Sequence, residues 1–176
     1  MSITLIPISE LDSSSPICDL YISSFPENER RDLNSFNKLL ESAPICLYEI
    51  LHNNSFAGFI TIWDFPTFLF IEHFAISTTL RGAGIGSKTI NIVASNNNKP
   101  IVLEVEPPID DISKKRVEFY NRCGLQLSEE PYIQPSYDGV KPEVELRLMC
   151  TNFSFLENNR KAIVKTLHTE VYSNKP

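Results

Sequence analysis

Leu80-Arg81-Gly82-Ala83-Gly84-Ile85-Gly86-Ser87 is the stretch on which the reading of this chain turns. The apolar run Phe68 to Ile76 leads into it, and helix-compatible sequence from Ser87 to Val93 leads out. Glycines at 82, 84 and 86 let the backbone approach a ligand closely. Amides at the start of a helix can then converge on one anionic group. The stretch reads as a phosphate cradle joining a strand to a helix.

Three phosphate-binding patterns compete for it. A P-loop needs Gly-Lys-Ser/Thr, and here Ser87 follows Gly86 with Lys88 one place late, so that pattern fails. A dinucleotide fingerprint, G-x-G-x-x-G, finds Ser87 in place of its third glycine, with Glu104 as the acid expected about 20 residues on. The third pattern, Arg/Gln-x-x-Gly-x-Gly/Ala, is matched at every fixed position by Arg81, Gly84 and Gly86.

The 176 residues suit one domain with an ample core and a short appended element. The 42% hydrophobic and 22% charged content is that of an ordinary soluble globular protein. A net charge of −6 and a pI near 5.1 argue against nucleic acid or an anionic membrane as partner. Cys18, Cys46, Cys123 and Cys150 lie far apart, and only three histidines accompany them. That spacing argues against a metal site and for reduced thiols in a cytoplasmic protein. Met1 to Pro7 lacks the basic and apolar regions of a signal peptide, and no stretch reaches the ~20 apolar residues needed to cross a bilayer.

Periodicity gives the element order. Ile3 to Ile8 reads as a strand, a helix starts at Pro16, and a second, carrying Leu33, Phe36 and Leu40, stops at Pro44. Ile45 to Leu51 and Phe56 to Trp63 read as a hairpin, Phe68 to Ile76 as the next strand, and the glycine loop opens a helix of about ten residues. A strand over Ile101 to Glu106 comes next. A further helix, capped by Asp111 or Ser113 and closed by Gly124, leads to two final strands, Glu130 to Ser136 and Glu143 to Met149. The order predicts an α/β (α+β) fold with a mixed sheet of about seven strands and helices on both faces, parallel where a helix intervenes. Residues 1–150 form the domain. Residues 151–176 form an appended helical extension, whose stripe Leu156, Ile163, Val164, Leu167 and Val171 docks on the same domain. Arg160, Lys161 and Lys165 fall on its other faces.

Two blocks in order, Ile71 to Ile76 with the glycine loop and Arg116-Val117-Glu118-Phe119-Tyr120-Asn121-Arg122-Cys123-Gly124-Leu125, resemble the GNAT superfamily of acyl-CoA-dependent N-acyltransferases. The second block is similar to that family's Tyr-x-x-x-Gly-Phe signature, ending in leucine here. The resemblance covers about residues 60 to 150 and implies a GNAT-like sheet whose fourth and fifth strands diverge around acetyl-CoA. It implies that backbone at Phe74, Ala75 and Ile76 pairs with pantetheine. It further implies that backbone amides of Gly82, Ala83, Gly84, Ile85, Gly86 and Ser87 hold the pyrophosphate, while Arg81, which opens the motif, either pairs with phosphate or braces the loop. Many relatives place an asparagine where this chain has Ser113, which keeps a hydroxyl for the cofactor.

The implied reaction is direct attack of an amine on the thioester, for which a base is useful because the amine is protonated at neutral pH. Strict alternation puts Phe70, Glu72 and Phe74 on one face, with Leu69, Ile71 and His73 on the other. Desolvation between two phenylalanines raises a carboxyl pKa, so Glu72 is the expected base, with a structural ion pair as its alternative. His73 is the competing base, directed into apolar packing. Tyr120 is the expected general acid for the departing thiolate. Glu104 and Glu106, with Tyr132 and Tyr137 near the last hairpin, are the expected acceptor-binding residues, and Gln134 and Lys141 are weaker candidates.

The expected activity is N-acetyl transfer to a small-molecule or peptide amine, by a monomer or homodimer. The alternatives are an acyl-CoA-binding protein of the same fold without turnover, and a dinucleotide-dependent oxidoreductase. A thermal shift with NAD(P) or with coenzyme A separates the last two, since a ligand stabilises the state that binds it.

Overall fold

A computed structural model of the chain describes residues 2–172. Strand β1 (Ile3–Ile8) is followed by α1 (Pro16–Ser24), with the Ser15 hydroxyl accepting from the Cys18 amide and proline in the first turn. A single 3-10 turn at Glu27–Glu29 leads to α2 (Leu33–Ser42), capped by Asp32. Strands β2 (Ile45–His52) and β3 (Ser55–Asp64) form the expected hairpin. Its turn places Asn53 and Asn54 at positive φ, which asparagine tolerates better than most residues. Strand β4 (Leu69–Ile76), α3 (Ile85–Ser95), β5 (Ile101–Val105) and α4 (Asp111–Arg122) come next. The chain continues through β6 (Gln126–Leu127), β7 (Tyr132–Gln134), β8 (Val144–Cys150) and α5 (Phe153–Thr166), which runs into a π-helical turn at Leu167–Val171.

The sheet order is β1-β2-β3-β4-β5-β8-β6, with β7 paired to β8. Among the described strands only β4 and β5 are parallel. The rule of parallel pairing across a helix therefore holds there and fails between β1 and β2. Two helices, where β4 and β5 have one, separate that pair, and it is antiparallel. The short strand β6 is an addition; two residues carry no readable periodicity.

Helices cover both faces. Ile17, Tyr21 and Phe36 of α1 and α2, with Leu156 and Ile163 of α5, pack on Leu47, Phe59, Trp63, Phe70 and Leu148. On the opposite face, Ile85, Ile90 and Val93 of α3 and Val117 and Tyr120 of α4 cover Ile60, Ile62, Leu69, Ile71 and Leu103. The apolar stripe of the C-terminal extension docks on the first of these cores, with Leu156, Ile163, Leu167 and Val171 all buried. The last four residues assigned to that extension, 173–176, lie outside the described residues. Arg160 is not on an outer face as expected. It is buried and donates to the Ser128 hydroxyl and to the carbonyls of Glu130 and Pro131, tying α5 to the segment before β7.

Two irregularities distort the pairing of β3 with β4. The register shifts so that Thr61 opposes His73 while Ile62 opposes Ile71, which leaves Glu72 as the extra residue of a β-bulge. Further along, Gly58 opposes Ile76, and a Cβ there would lie 2.2 Å from the Ala75 carbonyl oxygen. Only glycine lets the two strands approach so closely.

Candidate active site

Strands β4 and β5 pair only at their first residues, Leu69 with Ile101, Phe70 with Val102 and Ile71 with Leu103. Beyond that point β4 continues against β3, and β5 continues against β8. The divergence opens a cleft of about 1100 Å³ at the carboxyl ends of both strands. Ile71 to Ile76 form one wall and Leu103 to Glu106 the other. Open α/β sheets place ligands at such carboxyl ends.

The mouth of the cleft is the glycine stretch. Gly82 and Gly84 both have positive φ, and Gly84 is the left-handed residue from which α3 starts. The first-turn amides of α3 have no carbonyl one turn back to bond. Arg81, Gly82, Gly84, Ile85, Gly86 and Ser87 all line the cleft. A Cβ at Gly86 would come within 3.1 Å of the Phe119 ring, so this glycine lets α4 pack against the loop. Arg81 is exposed, and its Nε–H donates to the Ile76 carbonyl at 3.2 Å. This brace fixes the loop to the end of β4.

The cleft is electrostatically divided. Arg81, Lys115, Arg116 and Arg122 lie among its lining on the side of the loop and α4, whereas Glu29, Glu72, Glu104 and Glu106 supply acid elsewhere. The residues present therefore fit a ligand carrying phosphates at one end: free helix amides, positive charge, and a strand edge left unpaired at β4.

Glu72 departs from the expected raised pKa. Its side chain has no exposed surface, yet both oxygens are occupied. Oε1 accepts from Arg31 and from the Tyr137 hydroxyl, each at 3.0 Å, and Oε2 accepts from the Trp63 indole at 2.7 Å. Burial alone would push this carboxyl up. The Arg31 charge and the hydrogen bonds outweigh that and hold it below the usual carboxylate range. Arg31 is itself buried, also donates to the Val171 carbonyl, and sits 4.4 Å over the Tyr137 ring. The alternation expected along β4 also fails, because the bulge turns His73 to the same side as Glu72. His73 packs edge-on to Tyr21 and Phe25, donates from Nε2 to the Glu29 carbonyl, and is kept neutral by burial.

Glu104 is the opposite case. Oε2 accepts from the Tyr172 hydroxyl at 2.5 Å, while Oε1 is buried and has no partner. Burial pushes this carboxyl up to about 7. Glu106, at the rim, forms an ion pair with Arg116.

Tyr120 lines the cleft, and burial pushes its phenol up, so the hydroxyl stays protonated. Tyr137 lines the cleft as well. Other expectations need correction. Ser113 does not line the cleft; its hydroxyl turns back to the Asp110 backbone and carboxylate in a capping box. Asp110, rather than Asp111 or Ser113, is the N-cap of α4. Tyr132 also lies off the main cleft, buried against His168, with its hydroxyl close to Glu104 but outside hydrogen-bond geometry. Ala83 belongs to the loop without lining the cleft. Gln134 does line it, with a buried and unpartnered amide nitrogen. Lys141 donates to the Arg30 carbonyl. Arg31, Trp63 and Tyr172 carry no signal in the sequence. Only their positions in space connect them to the cleft.

The model of the Acetyltransferase (GNAT) family matches residues 14–125, more than half of the chain. The chain belongs to the GNAT acetyltransferase family. A solved structure from Bacteroides thetaiotaomicron, titled "Putative acetyltransferase from GNAT family", is 32% identical. It superposes with a TM-score of 0.88 over 99% of this chain and 100% of its own. The Bacillus subtilis protein "Putative acetyltransferase YjbC" is 33% identical over 101 residues, 56% of this chain and half of that relative's length. A GNAT acetyltransferase from Elizabethkingia anophelis, solved with acetyl-CoA bound, shares the fold at 18% identity, with a TM-score of 0.57 over 85% of this chain and 97% of its own.

Proposed function

We propose that this protein is an N-acetyltransferase that uses acetyl-CoA and acts on a primary amine. The observation that carries the proposal is the separation of β4 from β5 beyond Ile71 and Leu103, with the first-turn amides of α3 at its mouth. Backbone of Phe74 to Ile76 would align the pantetheine arm, and Gly82 to Ser87, with the positive end of α3, would hold the pyrophosphate. The bound thioester supplies an activated acetyl group; this chain supplies position and proton handling.

Tyr120 serves as the proton-donating partner of the leaving sulfur. Its raised pKa keeps the hydroxyl protonated at any working pH, so it stabilises a developing thiolate chiefly by donating a hydrogen bond. Glu72, the expected base, is bound on both oxygens and held ionised. That arrangement supports a framework role for Glu72, paired with the buried Arg31 guanidinium, on the acceptor side of the cleft. Glu106 at the rim and Tyr137 beside Glu72 complete that side.

The test is a panel of amines, covering small molecules, polyamines and peptides, incubated with acetyl-CoA while free thiol is followed. Binding of acetyl-CoA is measured separately by calorimetry. Thiol release that depends on one amine class, together with acetyl-CoA binding, is the expected result. Stabilisation by NAD(P) in place of coenzyme A would overturn the proposal, and acetyl-CoA binding without any amine-dependent release would mark a binding protein.

A further inference from the structure

We propose that Glu104 takes the proton from the acceptor amine, and that Tyr172, beyond the C-terminal helix, is the residue that positions it. This rests on the acetyltransferase reading. Glu104 lies on β5 just past the last residue paired with β4, where the cleft begins. Its Oε1 is buried with no donor, and among the described residues no cation lies within ion-pair distance. A buried carboxyl oxygen lacking both a donor and a countercharge is costly unless something arrives to supply them. A substrate ammonium brings both. The second oxygen is already fixed by the Tyr172 hydroxyl at 2.5 Å, which leaves Oε1 as the free position.

The groups facing Glu104 come from several elements. Tyr132 stands close on β7, Glu72 on β4 and Glu29 on the turn before α2 add negative charge, and Tyr137 approaches through the Tyr172 ring. The Arg31 guanidinium is committed to Glu72. This environment keeps the carboxyl poised near neutrality, the range in which a base both exists in its ionised form and holds a proton. The ammonium gives its proton to Oε1. The freed nitrogen lone pair forms the C–N bond to the acetyl carbon, and the C–S bond breaks with its electron pair leaving on sulfur, which takes a proton from Tyr120; the nitrogen then sheds its second proton, which restores the Tyr120 hydroxyl. One proton per turnover then passes from Glu104 to water. Tyr172 lies outside the residues matched by the family model, so the C-terminal extension completes the site as well as the fold.

Two readouts test this. Protein carrying carbon-13 at the glutamate carboxyls is titrated by NMR, and the Glu104 resonance is identified by its loss in Glu104→Gln. The expected midpoint is near pH 7, moving upward in Tyr172→Phe, because the tyrosine stabilises the ionised form. With an amine from the panel, Glu104→Gln should lower kcat by about 100-fold or more while leaving acetyl-CoA affinity unchanged. The acidic limb of kcat/KM should move with the carboxyl midpoint in Tyr172→Phe. A Glu104 midpoint in the ordinary carboxylate range overturns the proposal, as does a midpoint indifferent to Tyr172→Phe or a nearly full rate in Glu104→Gln. Failure of wild-type acetyl-CoA binding would instead sink the acetyltransferase reading, which the carboxyl titration does not depend on.

Discussion

The two walls of the cleft each carry one buried glutamate, and the two behave oppositely. Glu72 on β4 has three donors, one of them a buried guanidinium, and its carboxyl is held down. Glu104 on β5 has one donor and a bare oxygen, and its carboxyl is pushed up to about 7. Burial acts in the same direction on both, so burial does not decide the difference. What decides it is first the Arg31 countercharge, which Glu104 lacks, and then how much hydrogen-bonding capacity the fold has already consumed. A carboxylate whose lone pairs are filled by the protein is part of the framework. One left with an open position has something to offer a ligand.

The strongest way to break this contrast is to remove the partner of the filled carboxylate. Arg31→Met leaves Glu72 buried without its countercharge and frees the Tyr137 ring from the guanidinium above it. Breaking a buried pair by deleting one member costs about 3–5 kcal/mol, and this arginine also ties Val171 to the site. Chemical denaturation should show a loss of that order. A loss below about 1 kcal/mol would mean that Glu72 is solvated or protonated and that the contrast is false.

The pH dependence of stability separates the two glutamates without disturbing contacts elsewhere. Glu104 keeps its proton in the folded state up to about pH 7, whereas the unfolded chain has lost it. Through that interval the folded state binds more protons, so stability falls as pH rises, by about 3 kcal/mol for a shift of this size. Glu72 has the reverse sign. Its carboxyl is lowered, so its contribution is present above the ordinary glutamate pKa and disappears as acid protonates the folded state. Melting temperature should therefore decline from mildly acidic to neutral pH in the wild type. In Glu104→Gln that decline should flatten while the acid limb persists. A decline of equal depth in the variant would assign it to other groups.

The fold was largely legible because its signals are periodic. Alternating strands, Pro16, Pro44 and the glycine loop are local features, and each forms the element expected of it. The site was legible where backbone makes it, at Gly82 to Ser87 and Phe74 to Ile76, since glycine spacing and strand position report backbone directly. It was poorly legible where side chains from distant segments converge. The sequence places Arg31 and Tyr172 far from Glu72 and Glu104, and nothing local marks them as partners. The bulge at Glu72 shifted the strand phase, so strict alternation assigned His73 to the wrong face. Even so, Gly58 carried a readable hint, because a glycine inside a strand signals close approach of another backbone.

Ser113 extends the contrast to a neutral side chain and gives its smallest measurable consequence. By family resemblance its hydroxyl stands where a cofactor contact is common, but in the fold that hydroxyl is consumed by Asp110, accepting from the backbone N–H and donating to the carbonyl and carboxylate. Consumed capacity should mean a framework role, as for Glu72. Ser113→Ala removes half of a capping box and should cost about 1 kcal/mol in stability. Acetyl-CoA affinity, measured by calorimetry, should stay within about twofold, because a hydroxyl outside the cleft with its proton committed to Asp110 has little to contribute there. A tenfold loss of affinity with unchanged stability would show the hydroxyl turning toward the ligand, and satisfied hydrogen bonding would then be no guide to which residues of this cleft bind.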